Sequence, residues 1–155
     1  MKNQTFRLVT IILLLCILGV LFKRSIEPGQ RFIFNIDDSE AIMLLDMNET
    51  SVPMAELFGG DTHYVLMLDL SNCDTCIYNG LNDLKSLRAN GSTCSIIIVH
   101  DWIQETRSWS VHADGLPVYM LKRPDYYAYV RATQLPVLAT IKNGKIEAFR
   151  VITLG

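Results

Sequence analysis

The sequence predicts an α/β domain, with a sheet buried on both faces and helices packed against it, behind an apolar helix at the N-terminus. Residues 64–70 (YVLMLDL) are apolar on consecutive rather than alternating positions, as in a parallel-sheet strand covered on both sides. Residues 95–99 (SIIIV) repeat the pattern. Between them Ile77, Leu81, Leu84 and Leu87 recur at steps of four and three, the stripe of an amphipathic helix, and Asn90-Gly91 supplies its stop. Strand, helix and strand in succession make a βαβ unit, whose crossover is expected to be right-handed.

The remaining elements follow in order. Two apolar clusters, 32–36 and 41–47, stand either side of Asp37-Asp38-Ser39-Glu40 and read as an N-terminal hairpin. After the βαβ unit, residues 102–111 are expected to be helical, 116–121 a short strand and 124–132 one or two helical turns. Near the C-terminus, 137–141 and 146–152 flank Lys142-Asn143-Gly144-Lys145. Asn-Gly between two apolar runs is a strong hairpin signal, so these strands are expected to pair antiparallel.

The N-terminal segment reads as a membrane anchor. Lys2 and Arg7 precede an apolar run, 8–22, broken only by the polar Thr10 and closed by Lys23-Arg24. As a helix that run is about 22 Å long, short of the ~30 Å hydrocarbon core, so the flanking Lys and Arg would snorkel to the interface. Small residues for signal cleavage are missing before Lys23, which favours an uncleaved span. Cys16 follows Leu15 and reads as a buried thiol of that span rather than a lipidation site. The expected organisation is an anchor over 1–24, a linker over 25–31 and a single domain over 32–155. An inside N-terminus would put the domain on the periplasmic or extracytoplasmic side, where disulfides persist.

Of the 155 residues, 50% are hydrophobic and the formal net charge is -2. A packed core is therefore expected, and an extended basic surface is not, which excludes nucleic acid as a partner.

The chemistry is expected at Cys73-Asp74-Thr75-Cys76, where the first core strand has ended and the helix begins. The first helical turn brings both sulfurs to one side, within the ~5.5 Å Cα spacing that a disulfide spans. Unpaired N–H groups at a helix start stabilise an anion, so Cys73 is the expected thiolate, and Cys76, one turn inside, the less exposed resolving group. The same spacing forms half a zinc site, but Cys94, His63, His100 and His112 offer no second closely spaced pair. No metal and no cofactor is expected.

These residues resemble the thioredoxin superfamily and, within it, the membrane-anchored bacterial thiol-disulfide oxidoreductases of TlpA/ResA-like type. The resemblance covers about residues 32–154 and rests on the strand into Cys73-Asp74-Thr75-Cys76, the helix after it, and Leu135-Pro136 before the strand 137–141. It implies a three-layer fold around a central mixed β-sheet. Cys73 and Cys76 become the catalytic pair, Pro136 a cis residue beside them, and Leu135 the residue whose backbone touches the substrate. From the residues alone, Pro136 equally suits a trans proline opening an edge strand. The implied partners are thiols and disulfides of exported proteins and an upstream redox protein.

Several positions depart from that pattern. Asp69-Leu70-Ser71-Asn72 stands where aromatic residues are usual. Met67 holds the place of a buried acid. Gly80 replaces a helix-bending proline, and glycine permits a similar bend. The usual C-terminal helix is missing, so one sheet face is expected to carry an uncovered apolar patch, suited to pairing with a second copy, a partner or the membrane. Asp74 sets a negative charge beside Cys73 and is expected to make the disulfide less oxidising than the strongest periplasmic oxidants. Two other functions remain open: a binding or scaffold module with a structural Cys73–Cys76 disulfide, and a Cu(I) carrier using both thiolates.

Elsewhere the ordinary reading is structural. Cys94 is expected as a buried small hydrophobe, the three histidines as satisfied loop or core residues, and Trp102 and Trp109 as core contacts. Tyr126, Tyr127 and Tyr129, near Lys122 and Arg123, are expected to pack a loop on the sheet.

Overall fold

The computed structural model describes residues 42–129 and 134–153. The apolar run 8–22, the linker 25–31 and the cluster 32–36 lie outside them. Among the described residues no helix is long and apolar enough to cross a membrane.

Among the described residues one seven-stranded sheet has the order β2-β1-β5-β4-β3-β6-β7, formed by β1 (Met43–Leu45), β2 (Ser51–Pro53), β3 (His63–Leu68), β4 (Thr93–Val99), β5 (Val118–Leu121), β6 (Val137–Lys142) and β7 (Lys145–Val151). β3, β4 and β5 run parallel, while β6 pairs antiparallel with β3 on one flank and β1 with β5 on the other. The sheet is therefore mixed. Its helices are α1 (Met54–Leu57), α2 (Asp74–Ala89), α3 (Ile103–Trp109), continued by a 3-10 turn Ser110–Ala113, and α4 (Arg123–Tyr129).

The consecutive apolar runs are explained by burial on both faces. In β3 Val65 and Met67 join one core, and Leu66 and Leu68 the other; in β4 Ile97 and Val99 oppose Cys94, Ile96 and Ile98. The first core is closed by Met54, Phe58 and Tyr126, the second by Ile77, Leu81 and Leu84 of α2. Burying one such side chain contributes about 1.5–3 kcal/mol, so a polar residue in either run would cost the layer it faces.

Among the described residues the cluster 41–47 supplies β1, which forms a hairpin with β2, Leu44 standing opposite Val52; its expected partner 32–36 lies outside the described residues. The turn is made by Asp46, whose Oδ1 accepts the N–H groups of Asn48 and Thr50, both at 2.8 Å. Glu49 takes a positive φ of 67° there, a turn written in Asx chemistry rather than in glycine.

α2 ends as Asn90-Gly91 suggests. Gly91 has φ 85°, and the N–H groups of Gly91 and Ser92 return to the carbonyls of Arg88 and Leu87, the pairing of a Schellman cap. Gly80 permits a close approach of α2 to the sheet: a Cβ there would stand 2.7 Å from Cδ1 of Leu66.

At the far end the β6–β7 turn docks on the segment after α1. Asn143 and Gly144 have φ 51° and 72°, and their N–H groups donate to the carbonyls of Gly60 and Phe58. On the α2 face the β6–β7 end is open, with a groove of about 440 Å³ whose walls include Tyr64, Leu87, Thr140 and the Asp83–Arg150 ion pair. Leu138, Ala148 and Phe149 add apolar lining to that groove. The exposed large hydrophobic residues among the described ones, Met43, Tyr78, Trp102, Val111 and Tyr127, are all off β6 and β7. Alternation along β7 instead gives that face Ala148 and Arg150, opposite Thr140 and Leu138.

Candidate active site

β3 delivers the chain to the sheet edge where all three parallel strands end, the usual place for chemistry in an open α/β sheet. Residues 69–72 then turn sharply. The N–H of Asn72 donates to the carbonyl of Asp69, and Oδ1 of Asn72 accepts the N–H of Asp69, both at 2.9 Å. Cys73 follows as the cap of α2, with extended backbone (φ -63°, ψ 130°), and its Sγ accepts the N–H of Cys76 at 3.2 Å. A sulfur thus fills the role that a serine or aspartate oxygen usually has at a helix start.

The two sulfurs lie 2.7 Å apart. Closing to a disulfide of about 2.05 Å needs an approach of less than about 1 Å. Cys73 is exposed and Cys76 half-buried. Hydrogen bonds from the Cys76 side chain and backbone hold the Cys73 thiol below its ordinary value, and Asp74 opposes them weakly. The same shared proton, with burial and the Cys73 charge, pushes Cys76 up. Of the two thiols, Cys73 loses its proton the more readily.

The Leu135–Pro136 bond is cis. Pro136 is buried, Leu135 packs against the Val65 core, and β6 starts beside the end of β3, with Val137 opposite Met67. Pro136 therefore enters the sheet at the same edge from which residues 69–73 leave it.

The other sequence candidates do not join the pair. Cys94 Sγ lies 3.7 Å from the carbonyl of Leu84, eight residues along α2 from Cys76, or about 12 Å of helix. Burial pushes its thiol up. His63 shares a hydrogen bond with Ser95 Oγ, rests on Phe58, and burial lowers its pKa. His100 accepts the N–H of Trp102 and meets Glu105 at 3.0 Å. His112 packs edge-on to Trp109. Trp102, expected in the core, is 64% exposed because it precedes α3 at the sheet edge, whereas Trp109 packs on the α2 side. The tyrosines divide: Tyr126 is core and Tyr127 surface. Among the described residues no three His, Cys, Asp or Glu side chains gather as a metal site.

One group escaped the sequence reading. Asp69, 8% exposed, meets Arg123 at 2.9 Å and accepts the N–H and Oγ–H of Ser71 at 2.9 and 2.7 Å. The run Asp-Leu-Ser-Asn after a strand is a signal for such a turn; nothing local marks Arg123, fifty-four positions later, as its partner.

With that geometry in place, the fold can be named: it is thioredoxin-like. No protein-family model matches the chain, and no curated protein does. Among solved structures, a thioredoxin-like protein from Porphyromonas gingivalis superposes with a TM-score of 0.56 at 16% identity, covering 72% of this chain and 78% of that one. A thiol:disulfide interchange protein from Bacteroides sp. gives 0.54 at 16%, covering 70% and 75%. A secreted disulfide oxidoreductase of Mycobacterium tuberculosis gives 0.55 at 13%, covering 76% and 87%.

Proposed function

We propose that this protein is a membrane-anchored thiol-disulfide oxidoreductase acting on cysteines of exported proteins. The observation that carries the reading is the exposed Cys73 sulfur, 2.7 Å from Cys76 and bonded by the Cys76 N–H at the head of α2. The similar folds that are named as disulfide oxidoreductases and interchange proteins support it, and the apolar run 8–22 between basic pairs supports the anchor.

In the reducing direction the Cys73 thiolate attacks a sulfur of the client disulfide. That S–S bond breaks, a mixed disulfide forms, and the second client sulfur leaves as a thiolate that takes a proton from water. Cys76 then loses its proton and attacks Cys73 Sγ, releasing the first client sulfur, so two electrons pass to the client and the Cys73–Cys76 disulfide remains. In the oxidising direction each bond change reverses. The backbone at Leu135, presented by cis Pro136, aligns the client segment beside Cys73.

The test is Cys76→Ser in the full chain, in membranes. A client should be trapped on Cys73 as a mixed disulfide that dithiothreitol releases, and the wild-type pair should cycle between oxidised and reduced forms. No trapped client together with a pair that never cycles overturns the reading.

A further inference from the structure

The three parallel strands bring Asp69, Asp101 and Arg123 together from the ends of β3, β4 and β5. Arg123 Nη2 meets Asp69 Oδ2 at 2.9 Å, and its Nε stands 3.9 Å from Asp101, outside hydrogen-bond reach. That Nε is enclosed and has no hydrogen-bond acceptor among the described residues, so Asp101 pairs with Arg123 through charge alone while Asp69 is its hydrogen-bonded partner. The other oxygen of Asp69 holds Ser71, and the Asp69 backbone holds Asn72. A carboxylate this buried is retained only with a counter-charge and filled hydrogen bonds.

We propose that Arg123 is a positioning residue for Cys73: by clamping Asp69 it holds the turn 69–72 in the shape that seats Cys73 as the cap of α2. The inference deepens the oxidoreductase reading and rests on it for its biological meaning. The physical chain is short. Arg123 fixes one oxygen of Asp69, Asp69 fixes Ser71 and Asn72, and Asn72 is bonded directly to Cys73. If the turn relaxes, the Cys73 sulfur moves off the Cys76 N–H that stabilises its anion. The ion pair therefore acts on the thiolate through the backbone, without touching the client.

The experiment follows the rate of Cys73 alkylation by iodoacetamide against pH, and the reduction potential against glutathione, in the reduced full chain and three variants. Arg123→Gln should slow alkylation at neutral pH about tenfold, the change given by one pKa unit. Asp69→Asn keeps an acceptor for Ser71 and removes only the ion pair, so it should reproduce the drop. Arg123→Lys keeps the charge and should recover to within about threefold of wild type, as a point charge without the guanidinium fork. Thermal unfolding identifies any variant that fails to fold; if Arg123→Gln fails, Asp69→Asn and Arg123→Lys decide. Wild-type titration in folded Arg123→Gln or in Asp69→Asn overturns the proposal, and so does a Lys variant as slow as Asp69→Asn. Iodoacetamide needs no client, so failure to trap a client would remove the oxidoreductase reading and leave this result standing.

Discussion

The backbone N–H of Cys76 points at the sulfur of Cys73 across 3.2 Å, so one cysteine of the pair stabilises an anion on the other. The Cys76 side chain first, and then this N–H, hold the Cys73 thiol below its ordinary value of 9.0, while the Cys76 thiol lies above it.

The first prediction concerns reactivity against pH. In the reduced protein Cys73 should alkylate first, with a midpoint below pH 9.0, as peptide mapping after a short iodoacetamide pulse would show. Stability is the poorer readout. The lowered Cys73 contributes stability that is present above the unfolded thiol's pKa and lost as pH falls through the folded one. The raised Cys76 contributes stability that is present below its unfolded pKa and lost as pH rises through its folded one. The two contributions have opposite slopes.

Asp74 works against the Cys73 thiolate. Asp74→Asn should therefore lower the Cys73 pKa further, stabilise the reduced form and make the disulfide more oxidising. A rise in potential of no more than about 10 mV is expected, because Asp74 is the smallest of the influences on Cys73. Equilibration with glutathione measures it, and a fall in potential would contradict the assignment.

Gly80→Ala sets two effects against each other. Alanine gains about 1 kcal/mol of helix propensity, but its Cβ meets fully buried Leu66 at 2.7 Å, and overpacking costs about 1–3 kcal/mol. The contact should win, giving a net loss of up to about 2 kcal/mol in urea unfolding. Gly80→Ala with Leu66→Val should lose less than the two single changes added.

Gly144→Ala should be worse, because the obstacle is main chain. Its Cβ would lie 2.6 Å from Cα of Ala55, at φ 72°. The left-handed conformation costs about 1–2 kcal/mol and the clash at least as much, so a total of about 3 kcal/mol is expected. Urea unfolding checks it, and the Cys73 titration should be unchanged, since this turn lies at the far end of β6.

Particular residues show what the sequence could reveal. Residues 64–70 and 95–99 announce strands buried on both sides, and Asn143-Gly144 announces the hairpin, because each pattern is local. The head of α2 is legible for the same reason: a step of three positions from Cys73 to Cys76 is about one helical turn. Asp46 hides the first hairpin, since its turn is closed by a side-chain oxygen and a positive φ at Glu49 rather than by glycine. Trp102 is misjudged because hydrophobicity does not say which large residues a sheet edge leaves in water. The Asp69–Arg123 pair is invisible in one dimension, because only the parallel order of β3, β4 and β5 brings the two together.

The burial of Cys94 bears on fidelity. Three sulfurs in residues 42–129 admit three pairwise bonds, yet the position of Cys94 under Leu84, about two helical turns from Cys76, leaves a single linkage within reach. Among the described cysteines, a mispaired bond to Cys94 is therefore out of reach while α2 stays folded above it.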